Sequence, residues 1–489
     1  MGCGRWVTRL VSAIALCVSS AAWAADGANP NTEAANGDFA SSLSAYLHAI
    51  TGWNGERSKL EQAGLTFTFT YYGDAFANPV GGVKQGAGYD GRFGTIVDAD
   101  LEKLGGWSGA TFHASVHQIH GTQFSAENLD NLMTVSGIEA PPSTRLFNLW
   151  IAQKLGGQVD VRLGQFTAAQ EFETSDGANL FINSTFGWPV LNAQDLPSGG
   201  PAYPEATPGA RVQFTANDNL TLRAAVFNGD PAGPGAGNPV SRDPFGLAFR
   251  VSDPPLFIAE MAYSYGQQGA GSGGGNLNQE GELLRPRRAI ARAAEQDLPG
   301  TIKIGAWVHT GSFADQFLNA QGAGLPAAAG VPLQHAGDFA LYGIIDQMLW
   351  RVPGDTERAL SLFFRGSIAP SDRNLIDLYV DGGLTFKGPL ASRRDDTIGL
   401  AAAFARISPQ ASASDRETIA FNGIAMPVRD FEAAVELTYQ WSLGNNWFVQ
   451  PDLQYVVHPG GNIANPLGLA TASPIPNALV FGLRTTGRF

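Results

Sequence analysis

From Leu65 onward the chain alternates. Leu65, Phe67, Phe69 and Tyr71 share one parity, and Thr66, Thr68 and Thr70 share the other. A strand turns successive side chains to opposite faces, so this period predicts strands that separate two environments. The same pattern predicts strands over residues 91–104, 109–121, 145–155, 158–166, 209–217, 220–228, 245–252, 256–265, 301–311, 338–351, 358–368, 374–386, 397–407, 431–443, 447–457 and 478–489. In the last of these, Leu479, Phe481, Leu483 and Phe489 fall on one face, and Arg484, Thr486 and Arg488 on the other.

The polar face carries charges of both signs. Asp160 and Arg162 interleave Val159, Val161 and Leu163. Arg223 lies between Leu222 and Ala224, Glu260 between Ala259 and Met261, and Arg365 follows Phe364. Glu432 and Glu436 interleave Phe431, Ala433, Val435 and Leu437, and Gln450, Asp452 and Gln454 interleave Val449, Pro451, Leu453 and Tyr455. So many greasy faces would need a second sheet in a soluble fold. The alternative is an inside-out antiparallel β-barrel, apolar toward lipid and polar toward a wet lumen. The connections fit that fold. Gly156-Gly157, Asp218-Asn219, Asp253-Pro254-Pro255, Pro353-Gly354-Asp355 and Gly444-Asn445-Asn446 are tight, whereas 122–144, 167–208 and 266–300 are long. Short turns on one rim and long loops on the other mark transmembrane barrels, and single-chain bacterial barrels have an even strand number. The seventeen segments above are odd in number. Parity is expected to break between Tyr265 and Asp338, where residues 287–294 offer an eighteenth strand; one false strand instead gives sixteen. Trp441 and Trp447 flank a tight turn, Trp350 precedes another and Trp107 lies in a third, as expected of an aromatic girdle.

The amino-terminal residues set the compartment. Arg5 and Arg9 precede an apolar run, residues 10–18, and Ala22-Trp23-Ala24 ends it. This is the pattern of a secretory signal peptide over residues 1–24. Residues 25–63 are expected to form a periplasmic segment with short helices at 41–50 and 55–63, and residues 64–489 the barrel. Cys3 and Cys17 are the two cysteines, and both fall in the signal segment, so no disulfide or thiolate site is expected. No window holds the roughly 20 apolar residues of a membrane helix. The mean hydropathy of −0.06 is compatible with a barrel, whose lipid face occupies only alternate positions. A net charge of −13 argues against a nucleic-acid partner, which needs a basic face.

Motifs for chemistry are weak. Gly269, Gly271 and Gly274 match a dinucleotide fingerprint by letter but open no helix. His113 and His117 alternate with apolar residues on a strand, where four residues span roughly 13 Å, too far for one zinc ion. The chain has no H-E-x-x-H, G-x-S-x-G or P-loop motif. Neither an enzyme nor a metal or other cofactor is expected. The connection 167–208 is too long to be structureless in a compact fold. Its Phe172, Phe181, Phe186, Trp188 and Tyr203 must pack somewhere, and folding back into the lumen would bury them and narrow a pore.

Four stretches carry a family resemblance. Arg162-Leu163-Gly164-Gln165-Phe166 continues through Asn183-Ser184-Thr185-Phe186-Gly187 to Tyr203-Pro204 and Gly209. Asp346-Gln347-Met348-Leu349-Trp350 is followed by Leu362-Phe363-Phe364-Arg365 and Pro370. Residues 436–439 lead to Gln450-Pro451-Asp452-Leu453-Gln454-Tyr455 and Pro459-Gly460-Gly461. Trp53-Asn54-Gly55-Glu56-Arg57 precedes them with Leu60 and Gly64. Together these resemble the carbohydrate-selective porin family of OprB type. The resemblance implies a barrel of about sixteen strands, passive uptake of small neutral carbohydrates across the bacterial outer membrane, and no cofactor. A general or anion-preferring porin of the same architecture is the alternative. The candidate solute-contacting residues are Arg162, Asn183, Phe186, Trp188, Tyr203, Arg223, Glu260, Arg365, Glu436 and Asp452. The closing strand resembles those of outer-membrane proteins, which makes Phe489 a candidate signal to the barrel assembly machinery. Lipid is the remaining partner. Residues 266–298 depart most from the family pattern.

Overall fold

The computed structural model describes residues 56–266, 298–355, 357–423, 425–444, 446–468 and 473–489. The sequence readings on the signal segment, the helix at 41–50, the glycine fingerprint and the strand at 287–294 lie outside the described residues. A helix, Glu56–Ala63, leads into β1 (Leu65–Val80), β2 (Gly86–Asp100), β3 (Ala110–Gly121), β4 (Ser143–Leu155), β5 (Val159–Phe166), β6 (Thr207–Thr215), β7 (Leu220–Asn228) and β8 (Pro255–Tyr265). The second half contributes β9 (Gly300–Asn319), β10 (Pro332–Arg351), β11 (Ala359–Ile368), β12 (Ile376–Lys387), β13 (Thr397–Ile407), β14 (Phe431–Gly444), β15 (Trp447–Val457) and β16 (Ala478–Arg488). Each strand pairs antiparallel with its sequence neighbours, and β1 pairs with β16 to close a sixteen-stranded barrel. Closure leaves no edge whose backbone groups would face lipid unpaired.

The seam is tight. Thr70 lies opposite Arg488, and the register runs to Ala77 opposite Phe481. One step further, the Phe489 N–H donates to the Phe69 carbonyl at 2.8 Å and the Phe69 N–H to the Phe489 carbonyl at 3.0 Å. The Phe489 ring packs edge-on against Trp447. Arg57 of the leading helix donates to the Phe489 carbonyl at 3.1 Å and the Phe67 carbonyl at 2.5 Å.

The alternation corresponds to the two faces. Asp160, Arg162, Glu260, Arg365, Glu432, Glu436, Gln450, Asp452 and Gln454 are buried in the barrel interior, while Leu163, Ile304, Leu341, Leu400, Leu437 and Phe481 are exposed on the opposite parity. Exposed Trp107, Trp350 and Trp441 sit beside the short-turn rim.

Five readings are corrected. Residues 245–252 are not a strand. They form no ladder, and Gly246 and Phe249 sit at φ 65° and 44°, outside strand geometry: the Phe245 carbonyl accepts from the Leu146 N–H at 2.9 Å, and Gln165 Nε2 donates to the Gly246 carbonyl at 2.9 Å. Phe245, Leu247, Phe249 and Val251 are exposed, so the alternation there reflects one greasy side and not pairing. This false strand accounts for the odd count, and parity does not break after Tyr265. With it removed, Asp253-Pro254-Pro255 is the end of a long β7–β8 connection, not a tight turn. The connection from Gly266 to Pro299 then leaves and re-enters the barrel at the rim of the short turns, not the rim of the long loops. Finally, β2 stops at Asp100. Residues 101–104 are helical because Asp100 Oδ1 accepts from the N–H groups of Glu102 and Lys103, a side-chain cap that starts a helix.

Candidate functional site: a loop pinned across the lumen

Between β5 and β6, residues 167–206 fold back into the barrel. Phe172, Phe181, Phe186, Leu191 and Leu196 of this loop form one apolar cluster with wall residues Trp307, Tyr342, Phe363, Ile376 and Tyr379. At roughly 25 cal/mol per Å² of apolar surface, these buried rings supply the main force holding the loop in. Direction comes from polar groups on the wall. Glu436 accepts from the N–H groups of Ile182 (2.6 Å) and Asn183 (3.0 Å). Glu260 accepts from the Glu173 N–H at 3.1 Å and from Tyr342 Oη at 3.2 Å. Asp346 accepts from Ser175 Oγ at 2.6 Å and the Gly177 N–H at 3.2 Å. Arg365 Nε donates to both oxygens of Asp381 at 3.0 Å, while its two terminal nitrogens donate to the carbonyls of Glu173 (3.0 Å) and Thr185 (2.9 Å). In the other direction, loop residue Asp195 accepts from the N–H groups of Leu375 and Ile376.

Each candidate residue has a definite place. Arg162 is buried, paired with Glu171 of the loop and stacked 3.8 Å over the Trp150 ring. Arg223, partly exposed, donates to the Glu171 carbonyl at 3.0 Å and lies 3.5 Å from Glu260. Asn183 is fully buried and donates to Gln454 and to the Met133 carbonyl. Phe186 is wedged between Phe181 and Phe363. Asp452 accepts from Gln454 Nε2 at 2.8 Å and shares a hydrogen bond with Glu436. Arg162, Asn183, Phe186, Glu260, Arg365, Glu436 and Asp452 therefore meet at the contact between loop and wall. Trp188 and Tyr203 meet elsewhere, on a cavity.

That cavity, about 240 Å³, lies between the folded-in loop and residues 132–139 of the β3–β4 loop. Its wall includes the rings of Trp188 and Tyr203 and the polar groups of Thr134, Ser136, Glu139 and Gln194. Trp188 Nε1 donates to the Gly199 carbonyl and Tyr203 Oη to the Ile138 carbonyl, which fixes both rings. The β3–β4 loop is itself pinned, by Glu432 accepting from the N–H groups of Leu132 (2.8 Å) and Met133 (2.7 Å). Sequence reasoning passed over this second loop. Its Phe124, Leu129, Leu132, Met133, Val135 and Ile138 were the available signal that it packs inward. Among the described residues, no group of three His, Cys, Asp or Glu could hold a metal ion.

Burial alters the acidity of several loop carboxyls, among them Glu139 and Glu173. Burial pushes Glu139 up to about 7, against the hydrogen bonds from Ser125 and Ala126. Burial also pushes Glu173 up to about 7, opposed by Asn192, Arg365 and Ser367 and reinforced by Glu260. The docked loop therefore holds a proton on Glu173 that the undocked chain would release above its ordinary value of 4.5. The resulting stabilisation of docking is complete below pH 4.5 and is lost as pH rises through about 7. Open-channel noise from loop motion is expected to be greater at pH 8 than at pH 6, and Glu173→Gln should flatten this dependence. Equal noise in the wild type at both pH values would refute it.

The chain matches the carbohydrate-selective porin family, OprB, over residues 84–489. It is 26% identical to Porin B of Pseudomonas aeruginosa, over 98% of this chain and 96% of that protein. It is 22% identical to the putative porin QuiX of Acinetobacter baylyi, over 84% of this chain and 88% of that protein. The high-pH structure of Pseudomonas putida OprB superposes with a TM-score of 0.74 at 22% identity, covering 90% of this chain and 97% of that one, and so shares the fold. With the match running through the pinned loop and the closing strand, the chain belongs to the OprB family of carbohydrate-selective porins, β-barrel channels of the outer membrane.

Proposed function

We propose that solutes cross this barrel through the cavity between the two inward loops, and that small neutral carbohydrates are preferred there. The observation that carries this reading is the cavity wall, where two fixed aromatic rings, Trp188 and Tyr203, stand beside Thr134, Ser136 and Gln194. A sugar presents flat C–H faces and a rim of hydroxyls; rings match the first, and amides and hydroxyls the second. Charge on the neighbouring wall is largely cancelled in pairs, Arg162 with Glu171, Arg211 with Asp160, and Arg365 with Asp381. Such a lumen gives a neutral polyol no competitor of one sign. On this reading Trp188 and Tyr203 touch solute, while Arg162, Asn183, Phe186, Glu260, Arg365, Glu436 and Asp452 act through the loop they hold.

The test is sugar block of single-channel conductance in planar bilayers. Trp188→Ala should weaken block about three- to tenfold, the scale of one lost aromatic contact, with barrel assembly retained. A variant that assembles and blocks like the wild type would place Trp188 outside the solute path.

A further inference from the structure

Among the described residues, Arg92 on the inner wall has neither a salt-bridge nor a hydrogen-bond partner. Arg92, on β2, is 0% exposed, and none of its three guanidinium nitrogens has a hydrogen-bond partner. Nearby arginines differ: Arg145 is paired with Glu205, and Arg484 with Asp74. Arg92 is flanked by two rings, Tyr72 with its centroid 4.7 Å away and Tyr203 at 5.2 Å. Tyr72 Oη is buried and unpartnered, and so is Nδ1 of His117, whose ring lies 6.0 Å from that of Tyr203. Two of these sets, on Arg92 and His117, therefore flank one ring. That same ring, Tyr203, forms part of the wall of the solute cavity. A buried guanidinium without an anion is costly, because its charge has lost water and gained nothing in return. Cation–π contact with two tyrosines offsets only part of that.

We infer that Arg92, together with Tyr72 Oη, is a binding site for the carboxylate of a polyhydroxy acid, such as an aldonate, reached from the cavity when Tyr203 Oη gives up its hydrogen bond to the Ile138 carbonyl and the ring turns aside. The inference rests on the cavity being the solute path. A guanidinium offers a carboxylate two parallel N–H donors, a geometry that a lone hydroxyl does not use fully. Thr134 and Gln194 on the cavity wall would remain to take hydroxyls of the same molecule. The channel would then admit sugar acids as well as neutral sugars, with the acid group recognised at a place that neutral sugars leave unused.

The experiment measures influx of gluconate and glucose into proteoliposomes carrying the full chain, with assembly checked by heat-modifiable gel mobility. Arg92→Gln should lower the gluconate-to-glucose flux ratio about tenfold, the effect of one lost charge-assisted hydrogen bond, and Arg92→Lys should lower it less. An unchanged ratio in assembled Arg92→Gln overturns the site. The unaltered protein supplies a reading that needs no variant. Gluconate should inhibit glucose influx at a concentration about tenfold below that of sorbitol, its neutral analogue, and inorganic phosphate should do no better than sorbitol. Equal inhibition by gluconate and sorbitol, or phosphate matching gluconate, overturns the assignment. Failure here with Trp188→Ala still weakening glucose block removes only the acid site; failure of the Trp188 test removes the path itself.

Discussion

Replacing Arg365 with alanine is expected to release the inward loop and turn a sugar-blocked channel into a wider, weakly selective one. Arg365 is 2% exposed and does two things at once. It neutralises Asp381, which also accepts from Tyr379 Oη at 2.5 Å, and it binds the loop carbonyls of Glu173 and Thr185. Truncation leaves Asp381 buried without its cation, which typically costs about 3–5 kcal/mol. Two loop carbonyls also lose their donors. The sixteen-strand ladder does not depend on this group, so heat-modifiable mobility should persist while conductance rises and sugar block falls. Introducing Asp381→Asn into the Arg365→Ala background should recover part of the selectivity by removing the stranded charge. Unchanged conductance in an assembled Arg365→Ala channel would show that the apolar cluster alone holds the loop.

The second large effect is expected at the seam. Phe489→Ala keeps the main-chain exchange with Phe69 but removes the ring that meets Trp447. Burial of a Phe side chain is worth about 1.5–3 kcal/mol. Here that energy acts where the last strand must find the first, so the level of assembled barrel should fall about fivefold or more. Arg488→Lys, which retains length and charge beside the same seam, should reduce it far less. Equal membrane levels for the wild type and Phe489→Ala would make the ring incidental to assembly.

The faces were legible and the partners were not. A period of two placed Asp160, Arg162, Glu260, Glu436 and Asp452 on the interior side, because a strand between lipid and lumen leaves charge no other place to go. The same rule failed at residues 245–252. That stretch has one greasy side without a ladder, and alternation records surroundings, not hydrogen bonds. The inward loop was legible from its aromatics, which need a dry surface. What Glu436 and Arg365 do there was not, because the loop groups they hold, at Ile182, Asn183, Glu173 and Thr185, lie far away in the chain. No local pattern encodes that meeting. Phe186 and Trp188 illustrate the limit, since the two lie two residues apart and one packs into the cluster while the other reaches the cavity.

The wall grips the inward loops mostly by their peptide groups. Glu436, Glu260, Asp346 and Glu432 accept from main-chain N–H groups, and Arg365 and Gln450 donate to main-chain carbonyls. Every residue type except proline offers the same N–H, and all offer the same carbonyl. Side chains that point from the loop into the cavity can therefore be exchanged without disturbing the attachment. This makes the barrel an evolvable chassis: duplicated copies could diverge in the sugars they admit by changing residues such as Trp188 or Gln194, one at a time, while the clamp and the assembly route stay as they are.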